Sequence, residues 1–147
     1  MAYIRIFHQN DFDPTVGKFA DVSLRKASSD GISVIASDCV QSSGRCVCEH
    51  IRLYYPHVAG EPPIYLVIPN EYLPSNCRME HKRSLSGDDC HWIIGGLTRG
   101  EKRIFSRQII NQFPLDAYRI CADGCERELR KEDIPDPVIY ADSNTAN

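Results

Sequence analysis

His91–Pro114 reads HWIIGGLTRGEKRIFSRQIINQFP: an apolar run of strand length, two glycines, then a helix start signal. Thr98-Arg-Gly-Glu101 has the form of a capping box, in which the Thr hydroxyl takes up an orphan amide and the Glu carboxylate reaches back to the Thr amide. Ile104, Phe105, Ile109, Ile110 and Phe113 supply an apolar stripe at helical spacing. Pro114 ends it by removing a backbone donor. The stretch therefore predicts a strand, a tight turn through Gly95 and Gly96, and a helix over 98–113.

Working outward, AYIRIFH alternates as a first strand over Tyr3–His8, and GISVIAS reads as a second. IYLVIP is almost wholly apolar and predicts the most buried strand, with AYRICA the last. Val47–Tyr55 is expected to be a strand with Val47, Ile51, Leu53 and Tyr55 on the core side, leaving Cys48, His50, Arg52 and Tyr54 on the other. SDCVQSSG reads as loop, ADVSLRK fits no one element, and CERELRKED predicts a short helix. The expected fold is α+β, a single-layer mixed or antiparallel sheet of four to six strands packed by one long helix at about 98–113. It forms one globular domain over 1–140 with a flexible tail over 141–147.

The 147 residues and 42% hydrophobic content suit one domain with its own core. No run reaches the roughly 18 apolar residues that a membrane helix needs, and Arg5, His8 and Asp11 interrupt any apolar leader. A cytoplasmic location is expected. The net charge of −3 argues against general nucleic-acid affinity. Charge is nevertheless uneven: Arg78–Arg107 holds seven Lys/Arg against four acids, and from Asp116 onward eight acids face four bases.

The seven cysteines are an odd count in a chain that is not core-poor, so free thiols are the default. A structural zinc site is the sharper reading, because the ligands fall in pairs: Cys46 with Cys48, or Cys48 with His50; Cys77 with His81; Cys90 with His91; Cys121 with Cys125. Along a strand, alternate residues on one face lie about 6.6–6.8 Å apart, so Cys46, Cys48 and His50 cannot all bind one ion. Cys77 and His81 share a face if NCRMEHK is helical. The candidate set is Cys46, Cys48, Cys77 and His81, with Cys121 and Cys125 as alternatives. A disulfide or redox switch stays open beside it, and nothing in the sequence requires a cofactor.

Arg99, Arg103 and Arg107 recur every four residues of the expected helix, with Lys102 beside them, and form a candidate binding surface for an acidic partner or phosphates. An amphipathic helix also needs such a solvated face for its own sake. No aromatic row accompanies the stripe, so stacking on single-stranded bases is not indicated. The glycines before Thr98 match neither G-x-G-x-x-G nor the Walker lysine pattern.

IRIFHQNDFDPTVGKFADVSLRK, followed by DGISV and later by HWIIGGLTRGEKR, resembles a group of small uncharacterised bacterial proteins. These open with a strand, a Gly turn and an LSV-like strand, and place an apolar strand and helix later. The resemblance implies a bacterial, cytoplasmic single domain, often an accessory member of a multi-gene system, and assigns no residue a role. The expected function is accessory or regulatory, exerted by binding a protein partner, with zinc compatible as a stabiliser. The alternative is a metal- or histidine-dependent enzyme acting on nucleic acid or a nucleotide through His8, His50, His81 or His91. No membrane role is expected.

Overall fold

The computed structural model describes residues 1–25, 31–122 and 125–134. In chain order these form β1 (Ala2–Phe7), β2 (Phe12–Asp13), β3 (Lys18–Phe19), α1 (Asp21–Arg25), β4 (Ile32–Ala36), α2 (Ser37–Ser42) and α3 (Val47–Tyr54). There follow β5 (Ile64–Pro69), β6 (Arg78–His81), β7 (His91–Gly95), α4 (Arg99–Gln112), β8 (Arg119–Ala122) and β9 (Cys125–Glu128). Seven strands make one sheet in the order β6-β7-β4-β1-β5-β8-β9, with every pairing antiparallel. β2 and β3 form a separate hairpin.

β1 shows why one layer of cover is not enough. Its residues alternate across the sheet, and Tyr3 and Phe7 enter one core while Ile4 enters another. β4 and β5 repeat the pattern: Ile32, Val34, Ile64, Leu66 and Ile68 lie with Tyr3, whereas Ile35 and Tyr65 lie with Ile4. The first core is covered by Leu24 of α1, by Phe105, Ile109 and Ile110 of α4, and by Phe12 and Phe19 of the hairpin. Val40 of α2 and Cys48 and Ile51 of α3 cover the second. The expected sheet of four to six strands under one long helix is therefore corrected to seven strands with helices on both faces.

α4 lies where the capping box and stripe predict it. The Glu101 amide donates to Thr98 Oγ1 at 3.1 Å, and the Thr98 amide donates to Glu101 Oε1 at 2.8 Å. The segment from Val47 is a helix rather than the expected strand, and its start has the same physics in sulfur. The Glu49 amide donates to Cys46 Sγ and the Cys46 amide to Glu49 Oε1, both at 3.4 Å. The apolar positions that count are then Cys48, Ile51 and Tyr55 at helical spacing, and Leu53 is 56% exposed.

Three shorter segments also depart from expectation. SDCVQSSG is not loop: α2 forms, with Val40 buried and the Ser42 hydroxyl donating to the Asp38 carbonyl at 3.0 Å. NCRMEHK is not helical but supplies edge strand β6, paired with β7 from Arg78↔Gly95 to His81↔Trp92. CERELRKED gives β9 and a single 3-10 turn over Lys131–Asp133 in place of a short helix. The ambiguous ADVSLRK becomes α1. The tail expected over 141–147 lies outside the described residues, among which no helix is long and apolar enough to cross a membrane.

Among the described residues two disulfides pin the second helical layer to the sheet: Cys39–Cys90 joins α2 to the approach of β7, and Cys48–Cys121 joins α3 to β8. The helical register of 47–54 has a direct consequence. Ile51→Ala should cost about 2–5 kcal/mol in urea unfolding, and Leu53→Ala should stay within about 0.5 kcal/mol. A strand with Leu53 in the core would make the two costs alike.

Candidate metal centre and basic helix face

The hairpin between β6 and β7 closes through a turn in which the Gly87 amide donates to the Ser84 carbonyl at 2.9 Å. Gly87 takes φ +93°, a region that side-chain-bearing residues avoid. The Asp88 amide donates to Ser84 Oγ at 2.9 Å, and the turn delivers the Asp88 carboxylate inward beneath α3. There it meets His50 from the buried side of α3 and Tyr55 from its end. His50 Nε2 lies 2.9 Å from Asp88 Oδ1, the Tyr55 hydroxyl donates to Asp88 Oδ2, and the Cys90 amide donates to Asp88 Oδ1 at 2.8 Å.

His50 and Asp88 are both 0% exposed. Burial works against the Asp88 carboxylate, but the hydrogen bonds from His50, Tyr55 and the Cys90 amide outweigh it, holding the group below the usual carboxylate range. Burial first and the Asp88 contact second push the Tyr55 phenol far up, so it stays a proton donor. The His50 ring packs against Tyr54 with centroids 4.9 Å apart, and its Nδ1 is buried with no hydrogen-bond partner.

His50, Asp88 and Cys90 each bring a donor atom to within 4.8 Å of the other two, the one such group among the described residues. The sequence-derived set is not brought together. Cys46 is an exposed helix cap, Cys48 is bonded to Cys121, and Cys77 packs against the first core while Cys48 lies in the second, across the sheet. His81 stacks on Trp92 at 5.0 Å and approaches the Asp89 carbonyl at 2.5 Å. In a strand, Cys77 and His81 stand roughly 13 Å apart, so the chelate that a helix would allow is lost. The Cys125 side chain lies outside the described part.

The basic stripe is positioned by α4. Arg99 and Arg103 are exposed and Lys102 half-buried, and with Val22 they line a concavity of about 320 Å³. Arg107 instead pairs with Asp21 at 3.1 Å, and with Tyr72, Ile104 and Gln108 it lines a second concavity of about 550 Å³. Two further candidate histidines are dispersed: His8 Nδ1 accepts the Asn10 amide at 3.0 Å, and His91 Nδ1 lies 2.6 Å from the Lys82 carbonyl.

Sequence reasoning missed Asp88 as a site residue, gave Tyr55 only a place on a core face, and weighed His50 as a ligand beside Cys48 or as an enzyme histidine, never as the partner of Asp88. The one local signal was the turn SLSGDDC, whose first acid, Asp88, gave no hint of burial. Comparison with protein-family models, curated proteins and solved structures gives no match for this chain.

The Asp88 arrangement sets a pH dependence. A carboxyl whose folded pKa lies below its unfolded value of about 3.9 contributes stability that is complete above that value and is lost as pH falls through the folded one. Tyr55→Phe removes one donor to it and should cost about 1.5–3 kcal/mol near neutral pH. The difference from the parent chain should shrink as the pH falls below about 4, followed by urea unfolding at stepped pH.

Proposed function

We propose that the chain is a small bacterial accessory protein that works by binding a protein partner, and that the Arg99, Lys102 and Arg103 face of α4 receives an acidic segment of it. The observation that carries this reading is a set of three cations with no ion-pair partner among the described residues. They flank a concavity whose floor includes Val22, 49% exposed. Arg107 is tied to Asp21 and so fixes α4 against α1 rather than offering its charge. An extended acidic segment with one apolar side chain matches that surface in charge and shape.

The competing reading, an enzyme working through a histidine, is less well supported. A general base must come within hydrogen-bond reach of its substrate, and His50 and Asp88 are wholly enclosed. His8, His81 and His91 sit apart, each in contact with its own local partner. A cytoplasmic location belongs to the proposal through the bacterial resemblance. The two disulfides oppose it unless the cell keeps these thiols reduced. In that reduced state zinc would act as a stabiliser of the fold.

Fluorescence anisotropy with a labelled poly-glutamate peptide tests the surface. The parent chain should bind at low salt and weaken as salt rises. Reversal of Lys102 and Arg103 to Glu should lower affinity at least about tenfold, roughly 1.4 kcal/mol, while Lys131→Glu leaves it unchanged. Equal affinity in all variants would sink the reading. Preference for single-stranded DNA of matched charge would move the partner class to nucleic acid.

A further inference from the structure

The enclosed cluster holds the donor set of a transition-metal site in which two sulfurs are bonded to each other. Cys90 Sγ, His50 and Asp88 already lie within 4.8 Å of one another, and all three residues are buried. Cys39 Sγ is covalently attached to Cys90 Sγ, so cleavage of that bond leaves a fourth donor beside the third. A tetrahedral zinc ion with bonds of about 2.0–2.3 Å sets its ligand atoms roughly 3.3–3.8 Å apart. Cys90, His50 and Asp88 therefore need shifts on the order of 1 Å to reach that spacing, and Cys39 Sγ, once freed from Cys90, is the sulfur that can swing to the fourth corner.

A second observation points the same way. His50 Nδ1 is buried without a partner, in a ring that is 0% exposed. Interiors keep few such atoms, since an unpaired buried donor or acceptor costs about 1–3 kcal/mol. An imidazole whose Nε2 lies on a carboxylate beside the Cys90 sulfur, and whose Nδ1 is unspent, is better explained as a ligand than as core filling. Tyr55 and the Cys90 amide, both donating to Asp88, would be the outer contacts that orient it.

We propose that reduction of Cys39–Cys90 opens a buried zinc-class site formed by Cys39, His50, Asp88 and Cys90. The same two cysteines are a disulfide under oxidising conditions and metal thiolates under reducing ones. Two thiolates, an imidazole and a carboxylate suit a borderline-soft ion and disfavour magnesium or calcium. Four protein donors, three of them buried and Cys39 half-buried, leave no open position, which makes the ion structural rather than catalytic. Assembly balances with a low-molecular-weight thiol as reductant. Two thiols reduce the protein disulfide and leave as their own disulfide, and the two protein thiols lose their protons as the ion binds. In reverse, a small disulfide takes two electrons from the bound thiolates, reforms Cys39–Cys90, picks up two protons and releases the ion. The site is independent of the α4 surface.

Anaerobic titration of the full chain with Co²⁺, after reduction with a phosphine, reads the site directly. One equivalent should saturate a thiolate charge-transfer band and tetrahedral visible bands, and Zn²⁺ should displace it. Cys39→Ser and Cys90→Ser should each weaken binding at least a hundredfold with circular dichroism retained. Cys46→Ser, Cys77→Ser and the Cys48→Ala/Cys121→Ala pair should leave it unchanged. Oxidised glutathione should release one zinc per two thiols consumed. A reduced chain that folds only with zinc also supports the site. The proposal is overturned if the reduced chain shows no cobalt bands whether folded or unfolded, or if Cys90→Ser binds as the parent does.

Discussion

Through β1 the sheet must be covered twice. Tyr3 and Phe7 on one side and Ile4 on the other cannot all be served by a single layer, and β4 and β5 beside it carry the same two-sided load. Each large side chain taken out of water contributes about 1.5–3 kcal/mol, so an uncovered face would forfeit several such terms. The first face is closed by the fourteen-residue α4 with α1 and the aromatic hairpin. The second is closed by α2 and α3, which together bring few apolar side chains. Two covalent ties reinforce that thinner layer, closing separations of 51 and 73 residues. On the chain-entropy account each is worth about 4 kcal/mol.

Those constraints explain which parts of the molecule could be read from the sequence. α4 was legible because local signals agreed: a Thr/Glu box, a stripe of period 3.6 and a terminating proline. β5 and β7 were legible as apolar runs bounded by turns. α3 was not, because its box starts with Cys46 rather than a hydroxyl or carboxylate residue, and Val47, Ile51, Leu53 and Tyr55 imitate the period of a strand. The exposure of Leu53 and the burial of Cys48 and His50 separate the two patterns, and all three depend on what lies across the gap. The strand count failed for a related reason: β6 and β9 are short, charged edges whose pairing partners, not their composition, make them strands.

The interior centre lay further from the sequence still. His50 and Asp88 are 38 residues apart, and neither carries a local mark of its environment. The alternation that put Cys46 and Cys48 on one face was a strand argument. Once the segment is helical, one sulfur becomes an exposed cap and the other a core atom. Spacing along the chain could not give the Cys39–Cys90 and Cys48–Cys121 pairings, because they are set by the crossing of α2 and α3 over the sheet.

The place of β1 between β4 and β5 also orders events in time. Its neighbours lie at residues 32–36 and 64–69, so a chain emerging N-terminus first holds a two-faced apolar strand with one partner missing until residues 64–69 are made. Long-range antiparallel pairing of this kind is slow, and loop closure must precede any reward. During that interval β1 and β4 expose the surfaces that unrelated chains find adhesive. The strand that is paired on both sides in the finished protein is, in the nascent chain, an exposed hazard for aggregation.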